Sequence, residues 1–182
     1  ARAQRDGSLV FTGKMDFRPN VDGVLWFFER VWPRVREQLP EARFVVVGRN
    51  PSPRLRALRV DPRAVVTGTV PDVRPYLRQA QLYVVPLRMG GGTRLKVLEA
   101  MAMGKPIVST SLGCEGIDLI PGRELIVADR AEDFSQWVID LWQDEWRRRE
   151  LARRARQLVE ERYDWRGIAP RLEAAYLEAT SL

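Results

Sequence analysis

The stretch MGGGTRLKVLEAMAMGKPIV, residues 89–108, contains two cations where electrostatics disfavours them. Three glycines precede an apolar run, so the pattern predicts a helix that begins at Thr93 or a neighbouring residue. A helix amino terminus carries partial positive charge and favours acids, yet Arg94 and Lys96 come before the first acid, Glu99. Glycines allow close approach of a ligand, and the free N–H groups of a first helical turn bind anions. The stretch therefore predicts a phosphate site that these cations complete.

A second interpretation is that both side chains extend into water, with Glu99 offsetting part of the charge of Lys96. A glycine run is weak evidence by itself, since it matches neither the P-loop pattern nor the dinucleotide pattern. If these cations bind phosphate, a charge reversal at Arg94 is expected to weaken diphosphate binding more than nucleoside binding. It is also expected to leave folding intact or slightly improved, because an acid suits the helix dipole at that position.

Strand-like and helical patterns alternate along most of the chain and would position this loop. A long amphipathic run covers Asn20–Leu39, Pro71 stands at a predicted helix start, and everything from Ala131 onward is predicted to be helical. The predicted strands are Ser8–Gly13, Arg43–Gly48, Ala64–Val70, Leu82–Leu87, Pro106–Thr110 and Glu124–Ala128. Such alternation indicates one α/β domain over residues 1–182, a Rossmann-like doubly wound parallel sheet with a helical C-terminal tail. Ligands of such sheets bind at the carboxyl ends of the strands.

Composition excludes several kinds of site. The 182 residues include no histidine and one cysteine, Cys114, which excludes an internal disulfide, a cysteine-rich metal site and histidine-based catalysis. No stretch reaches the roughly 20 apolar residues of a membrane-spanning helix. The first ten residues, ARAQRDGSLV, lack the apolar segment of a signal peptide. We therefore expect a cytoplasmic protein.

Positive charge is the remaining compositional signal. The net charge is +6, which is compatible with a nucleic-acid partner, but the arginines are scattered through every segment, so we predict no nucleic-acid binding. One local concentration, EWRRRELARRARQ, covers Glu145–Gln157. It is interpreted either as a solvated helix face or as a surface for an anionic membrane, so peripheral association with the inner face of the membrane stays open.

Several features follow one another in a specific order: FTGKMDFRPNVDGVLWFF, RFVVVGRNP, VVTGTVPDVRPYLRQAQLYVVPL and GGGTRLKVLEAMAMGKPIVST. Together they resemble the C-terminal, donor-binding domain of family 4 retaining glycosyltransferases, which have the two-domain GT-B fold. The similarity extends from Ser8 to about Leu177, and VLEAMAMGKPIVST is its most specific segment. It implies a linker at residues 1–7 and a closing helix at 164–180. That helix would pack across an N-terminal acceptor domain absent from this chain, together with one or two of the six tryptophans.

The resemblance implies roles for individual residues. Glu99 corresponds to the second glutamate of the family's Glu-(seven residues)-Glu motif and would hold the ribose hydroxyls of the nucleotide. Lys14, after the first strand, would contact the diphosphate, and the loop up to Arg94 would face the distal phosphate. Val70 would contact the base through its backbone. The predicted donor-site residues are Lys14, Val70, Gly91, Gly92, Thr93, Arg94, Lys96 and Glu99, with Lys14, Arg94 and Glu99 as the catalytic residues.

Two positions depart from the family pattern. Gly91 replaces the first glutamate of the motif, which in the family contacts the transferred sugar. Asn20 replaces the second basic residue, six after Lys14. Arg94 and Lys96 would supply the missing charge but not the missing carboxylate.

The implied activity is retaining transfer of a glycosyl group, of hexosyl type, from a UDP or GDP sugar to an acceptor hydroxyl in polysaccharide or glycan biosynthesis. No Asp-x-Asp occurs, so we expect no metal ion and no further cofactor, with cations and the helix terminus neutralising the diphosphate. The isolated chain is expected to be inactive without its acceptor domain. The alternatives are a non-catalytic nucleotide-sugar-binding or regulatory module and a nucleotide-sugar epimerase of the same fold.

Overall fold

A computed structural model of the chain describes residues 7–180, except the side chain of Arg171. All strands of its sheet pair in parallel, in the order β3-β2-β1-β4-β5-β6. The strands are β1 (Ser8–Thr12), β2 (Arg43–Val47), β3 (Ala64–Val66), β4 (Ala80–Val85), β5 (Ile107–Ser109) and β6 (Ile126–Val127). This order confirms the predicted doubly wound α/β fold. The predicted linker lies outside the described residues, apart from its last residue, Gly7.

Helices connect the strands and form the C-terminal tail. They are α1 (Arg18–Trp26), α2 (Trp32–Gln38), α3 (Pro53–Arg56), α4 (Arg74–Gln79), α5 (Leu95–Ala102), α6 (Ala131–Gln143), α7 (Glu145–Arg162) and α8 (Trp165–Thr180). A π-helical segment, Phe27–Val31, joins α1 to α2, so the predicted amphipathic run is one continuous helical stretch.

Several predicted boundaries differ from the structure, and two of them border the site. Helix α4 begins at Arg74 rather than at Pro71, because the Asp72 carboxylate accepts the Arg74 N–H at 2.9 Å and forms a turn before the helix. Pro75 is the proline in its first turn. Strand β3 ends at Val66 rather than at Val70: its last pair with β2 is Val66 with Val46, and the backbone leaves the extended conformation at Gly68, where φ is +79°.

The two central strands explain where a ligand can bind. All five residues of β1 and five of the six in β4 are buried, as expected for a parallel sheet flanked by helices. Strand β1 pairs with β2 on one side and with β4 on the other. From β1 the chain adds β2 and β3 in one direction and then returns to add β4, β5 and β6 in the other, so the direction of strand addition reverses between β1 and β4. The carboxyl ends of these strands, at Thr12 and Val85, therefore border the crevice where doubly wound sheets bind ligands.

The tail ends in a helix with exposed apolar side chains. Helix α8 packs against α7, and its Trp165, Tyr176 and Leu177 are 72%, 65% and 68% exposed. Trp146, at the start of α7, is 75% exposed. The other four tryptophans belong to the core or pack against it.

Ion pairs neutralise part of the arginine cluster on α7. Arg149 pairs with Glu145, and Arg154 pairs with Glu150, both at 2.6 Å and four residues apart. Such pairs are typical of a solvated helix face. No helix among residues 7–180 is long and apolar enough to span a membrane.

Candidate functional site

The turn after β1 presents Lys14 at the crevice. Backbone hydrogen bonds from Gly13 to Val47 and from Met15 to Arg49, at 3.0 and 2.8 Å, fasten this turn to the end of β2. The Lys14 side chain is half exposed, and its Nζ lies 3.5 Å from an Asp16 oxygen. An ion pair this exposed is weak, so the ammonium can turn to a ligand at little cost.

The glycine loop lies between β4 and α5. Gly90 and Gly92 have φ angles of +96° and +92°, in the region that favours glycine. Gly91, Gly92 and Thr93 are exposed, and within residues 7–180 their backbone N–H groups donate to no acceptor. Helix α5 begins at Leu95, two residues after Thr93. The loop therefore presents several free donors at a helix start, the arrangement that binds anions.

Arg94 has partners that the sequence did not reveal. Its side chain is 7% exposed and donates to the carbonyl oxygens of Leu112 at 3.0 Å, Gly91 at 3.3 Å and Gly90 at 2.7 Å. A carboxylate oxygen of Glu115 lies 3.6 Å away. These contacts connect the glycine loop to the segment after β5. Phosphate binding by Arg94 stays a prediction, and the contacts shown are those of a residue that holds the loop.

The expectation that a charge reversal at Arg94 would leave folding intact is therefore wrong in its premise. That expectation treated residue 94 as a solvated first-turn position. The structure instead places the guanidinium among carbonyl oxygens, where a carboxylate would be repelled and would leave those acceptors without donors.

Lys96 extends back under the turn after β1. Its Nζ donates to the Thr12 carbonyl at 2.9 Å and to the Asn20 side-chain oxygen at 2.7 Å, and it lies 4.3 Å from the centre of the Phe11 ring. Burial and, to a smaller extent, the nearby Arg94 charge lower the pKa of Lys96 to about 7, while the Glu99 charge acts in the opposite direction. The cation therefore lies at the carboxyl end of β1, beside the turn that carries Lys14.

Glu99 and Val70 lie at two other places around the crevice. Glu99 is exposed on α5, and its carboxylate has no hydrogen bond or ion pair within the part of the chain that the structure describes. It is available to accept hydrogen bonds from hydroxyl groups. Val70 is half-buried in the loop between β3 and α4, also at the carboxyl edge of the sheet.

The two departures from the family pattern differ structurally. A Cβ atom on Gly91 would meet nothing within 4 Å, so space does not explain the absence of a carboxylate there. Asn20 is 6% exposed and contacts Lys96 directly. The sequence identified Asn20 as a lost cation and missed this contact. Its only signal was the position six residues after Lys14.

Metal-binding side chains do not cluster in the described residues. No group of three or more histidine, cysteine, aspartate or glutamate residues in this part of the chain could hold a metal ion. Metal independence stays a prediction.

Three comparisons place this geometry among known proteins. The chain is 25% identical over 165 residues to an uncharacterized 44.6 kDa protein in the cps region of Klebsiella pneumoniae, a match that covers 86% of this chain and 42% of the relative. The C-terminal domain of a glycosyl transferase group 1 family protein (LpcC) from Francisella tularensis has a similar structure, with a TM-score of 0.69 and 19% identity. That match covers 87% of this chain and 86% of the LpcC domain. Anabaena Alr3699/HepE, solved in complex with UDP and glucose, is similar with a TM-score of 0.72 and 13% identity, and the match covers 96% of this chain and 48% of that protein.

These solved structures, at 13% and 19% identity, show a shared fold. The sequence itself shows more, because the family model described as "Glycosyl transferases group 1" matches residues 6–144. That match includes β1, the glycine loop, α5 and every predicted donor-site residue. Since it covers well over half of the 182 residues, the chain belongs to the glycosyl transferases group 1 family.

Proposed function

We propose that this chain is the donor half of a retaining glycosyltransferase, which binds a nucleoside-diphosphate sugar for transfer of a hexosyl group to an acceptor hydroxyl. One observation carries the proposal: two lysines and a loop of free N–H groups meet at the reversal point between β1 and β4. Cations and unpaired backbone donors together suit a diphosphate. Family membership supports glycosyl transfer as the reaction.

Each predicted residue has a role in this proposal. Lys14 and Lys96 neutralise the diphosphate, while the N–H groups of Gly91, Gly92 and Thr93 donate to its distal oxygens. Glu99 accepts hydrogen bonds from the ribose hydroxyls, and the backbone near Val70 contacts the base. Arg94 holds the loop in the conformation that presents these donors.

Stabilising the leaving diphosphate is the chemical contribution of this half. Charge that accumulates on the leaving group in the transition state is lowered in energy by preorganised donors and cations. The chain's own lysines and loop N–H groups supply the positive charge that stabilises this negative leaving group. We therefore propose transfer without a metal ion or a further cofactor. UDP-glucose is the first donor to test, because HepE was solved with UDP and glucose.

The acceptor half is proposed to be a separate domain. This chain spans less than half the length of the curated relative it matches, and its last helix exposes Trp165, Tyr176 and Leu177. An exposed apolar surface of this kind is typical of a contact with another domain. We propose that it faces the N-terminal acceptor domain. A cytoplasmic location and a role in glycan biosynthesis accompany this proposal.

Gly91 favours a second candidate function. A chain without a carboxylate at this position lacks a group that the resemblance places against the transferred sugar. A module that binds nucleotide sugars without transferring them would need the phosphate and ribose contacts but not that carboxylate. Transfer activity in the presence of an acceptor domain distinguishes the two.

Ligand binding tests the proposal directly. Thermal unfolding is measured with UDP-, GDP- and ADP-sugars, since a ligand that binds only the folded state raises Tm. Isothermal titration then gives the affinity of the best ligand with and without EDTA. We expect one nucleotide class to raise Tm and EDTA to have no effect. A chain that binds no nucleoside diphosphate, or one that binds oligonucleotides with steep salt dependence instead, would contradict the proposal.

A further inference from the structure

We propose that Asn20 is a positioning residue of the donor site, which holds the Lys96 ammonium at the carboxyl end of β1 as a cation for the donor diphosphate. This inference rests on the proposed function. It assigns a role to Asn20, which the sequence comparison with the family identified only as the loss of a basic residue.

The orientation of the Asn20 amide is determined at both ends. Its oxygen accepts from Lys96 Nζ at 2.7 Å, and its nitrogen donates to the Lys14 carbonyl at 2.9 Å. An ammonium has no acceptor and a carbonyl has no donor, so turning the amide by 180° would lose both bonds. Asn20 thereby connects the two proposed phosphate-binding lysines, since it contacts the backbone of Lys14 and the side chain of Lys96.

The ammonium of Lys96 is stabilised without being neutralised. Its hydrogen-bond acceptors, the Thr12 carbonyl and the Asn20 amide, are both uncharged. Within residues 7–180 no carboxylate lies within the 4.0 Å of an ion pair with it. The charged groups that act on it are Arg94 and Glu99, both from the α5 region, and of opposite sign. A buried cation without an anion is costly, which favours arrival of a negatively charged ligand.

The close packing at Gly13 fixes where this cation lies. A Cβ atom on Gly13 would come within 2.7 Å of the Asn20 amide nitrogen and 2.9 Å of Lys96 Nζ. The ammonium therefore lies directly against the backbone of the turn after β1. The Phe11 ring lies beneath it at 4.3 Å, where the face of the ring attracts the cation without neutralising its charge.

A diphosphate at this position would change the protonation of Lys96. Burial holds its pKa near 7, so at pH 8 most of the free protein has a neutral amine. An adjacent anion favours the charged form and raises the pKa. Binding at pH 8 should then be accompanied by uptake of protons from the buffer, approaching about one proton per bound nucleotide.

The experiment titrates UDP, GDP and uridine into the wild-type chain and into Asn20→Asp and Lys96→Met variants. Titrations at pH 8 in buffers of different ionisation enthalpy measure proton uptake. Asn20→Asp preserves the size of the side chain but places a carboxylate beside Lys96, which satisfies the ammonium without a ligand. We expect diphosphate affinity to fall about 10-fold or more, uridine affinity to stay unchanged and proton uptake to disappear. Lys96→Met should have the same three effects.

A charge swap supplies the matched control. Asn20→Lys combined with Lys96→Asn moves the cation from α5 to α1, and we expect it to recover most of the diphosphate affinity lost in Lys96→Met. Wild-type chain that binds neither UDP nor GDP overturns the proposed function. Wild-type chain that binds them while Asn20→Asp and Lys96→Met retain full affinity and proton uptake overturns only this inference. Should Asn20→Asp fail to fold, Lys96→Met and the charge swap give the same decision.

Discussion

Arg94 and Lys96 are two residues apart, and the fold uses their charges for different purposes. The Arg94 guanidinium has several donors in a fixed plane, so it can satisfy three carbonyl oxygens of two separate loops. The Lys96 ammonium is compact, on a flexible stem, and reaches under β1 to uncharged acceptors. One cation therefore stabilises the loop, and the other remains able to respond to an anion.

Removing the Arg94 side chain should destabilise the chain. Arg94→Met leaves three carbonyl oxygens without their donor, and the net contribution of a hydrogen bond to a charged group is about 1.5–3 kcal/mol. Gly90 and Gly91 are exposed, so water can replace part of what is lost. We expect the free energy of unfolding to fall by about 2–3 kcal/mol, measured by urea denaturation. Arg54→Met, at an exposed position on α3, is the control and should change it by less than about 0.5 kcal/mol. Equal effects would show that Arg94 does not hold the loop.

Glu99 should affect binding and not folding. Its carboxylate is exposed and has no partner among the described residues, so Glu99→Ala should leave Tm unchanged. Loss of charge-assisted hydrogen bonds to the ribose should weaken nucleoside-diphosphate binding by roughly 1.5–3 kcal/mol. Glu99→Gln separates charge from shape in the same titration. Unchanged affinity in folded Glu99→Ala would remove this residue from the site.

The low pKa of Lys96 predicts a pH dependence of stability. Burial lowers the pKa from 10.5 to about 7 in the folded chain, so between pH 7 and about 10 the unfolded state binds more protons at this residue. The free energy of unfolding contributed by Lys96 should therefore rise with pH across that interval and be flat below it. Urea denaturation at pH 6, 8 and 9.5 checks this, with Lys96→Met as the reference. A difference between the two proteins that does not change with pH contradicts the lowered pKa.

At the scale of elements, the turn after β1 depends on a close approach of two backbones. A Cβ atom on Gly48, at the end of β2, would lie 1.7 Å from the Gly13 carbonyl oxygen. Neither backbone segment can move without disturbing the paired strands, so Gly48→Ala should lower the free energy of unfolding by about 3 kcal/mol or prevent folding.

Gly92→Ala is the comparison for this prediction. A Cβ atom there meets nothing within 4 Å, although φ is +92°, so only backbone strain of about 1 kcal/mol is expected. Thermal unfolding of both variants measures the difference. A smaller effect for Gly48→Ala than for Gly92→Ala would contradict the proposed importance of the approach.

The arrangement of elements could be predicted because it is expressed locally. Each of the six strands is an apolar run bounded by glycine, proline or polar residues. All six appear near the predicted places: five are shorter than predicted, and β4 lies two residues earlier, at Ala80–Val85. Pro71 was misleading because a second proline, Pro75, occupies the first turn of α4. The Asp72 turn that delays the helix depends on a side-chain contact, which hydrophobic periodicity does not represent.

The contacts within the site could not be predicted in the same way. Lys96 reaches Thr12 and Asn20, which are 84 and 76 positions away in the chain, and Arg94 reaches Leu112, 18 positions away. The sequence indicated that these cations lie at the start of a helix. Which acceptors lie opposite them follows only from the pairing of β1 with β4 and β4 with β5.

At the scale of the whole molecule, two surfaces have different properties. The carboxyl edge of the sheet presents the lysines, the loop donors and Glu99. The exposed side chains Trp165, Tyr176 and Leu177 lie on α8, in the tail. Under the proposed function the first surface binds the donor and the second contacts an acceptor domain, so binding and transfer should be separable.

This separation leads to a prediction for the isolated chain. It should bind a nucleoside diphosphate yet transfer no sugar at an appreciable rate, because transfer requires donor and acceptor to be held in contact. That orientation contributes about 7–11 kcal/mol to lowering a reaction barrier, and a donor half provides only one of the two partners. The chain is mixed with a donor sugar and candidate acceptors, with and without a separately produced N-terminal domain of the same family. Transfer only with the added domain supports the half-enzyme proposal, and efficient transfer by the chain alone contradicts it. Donor binding without transfer, even with the added domain, would favour the non-catalytic module that Gly91 suggests.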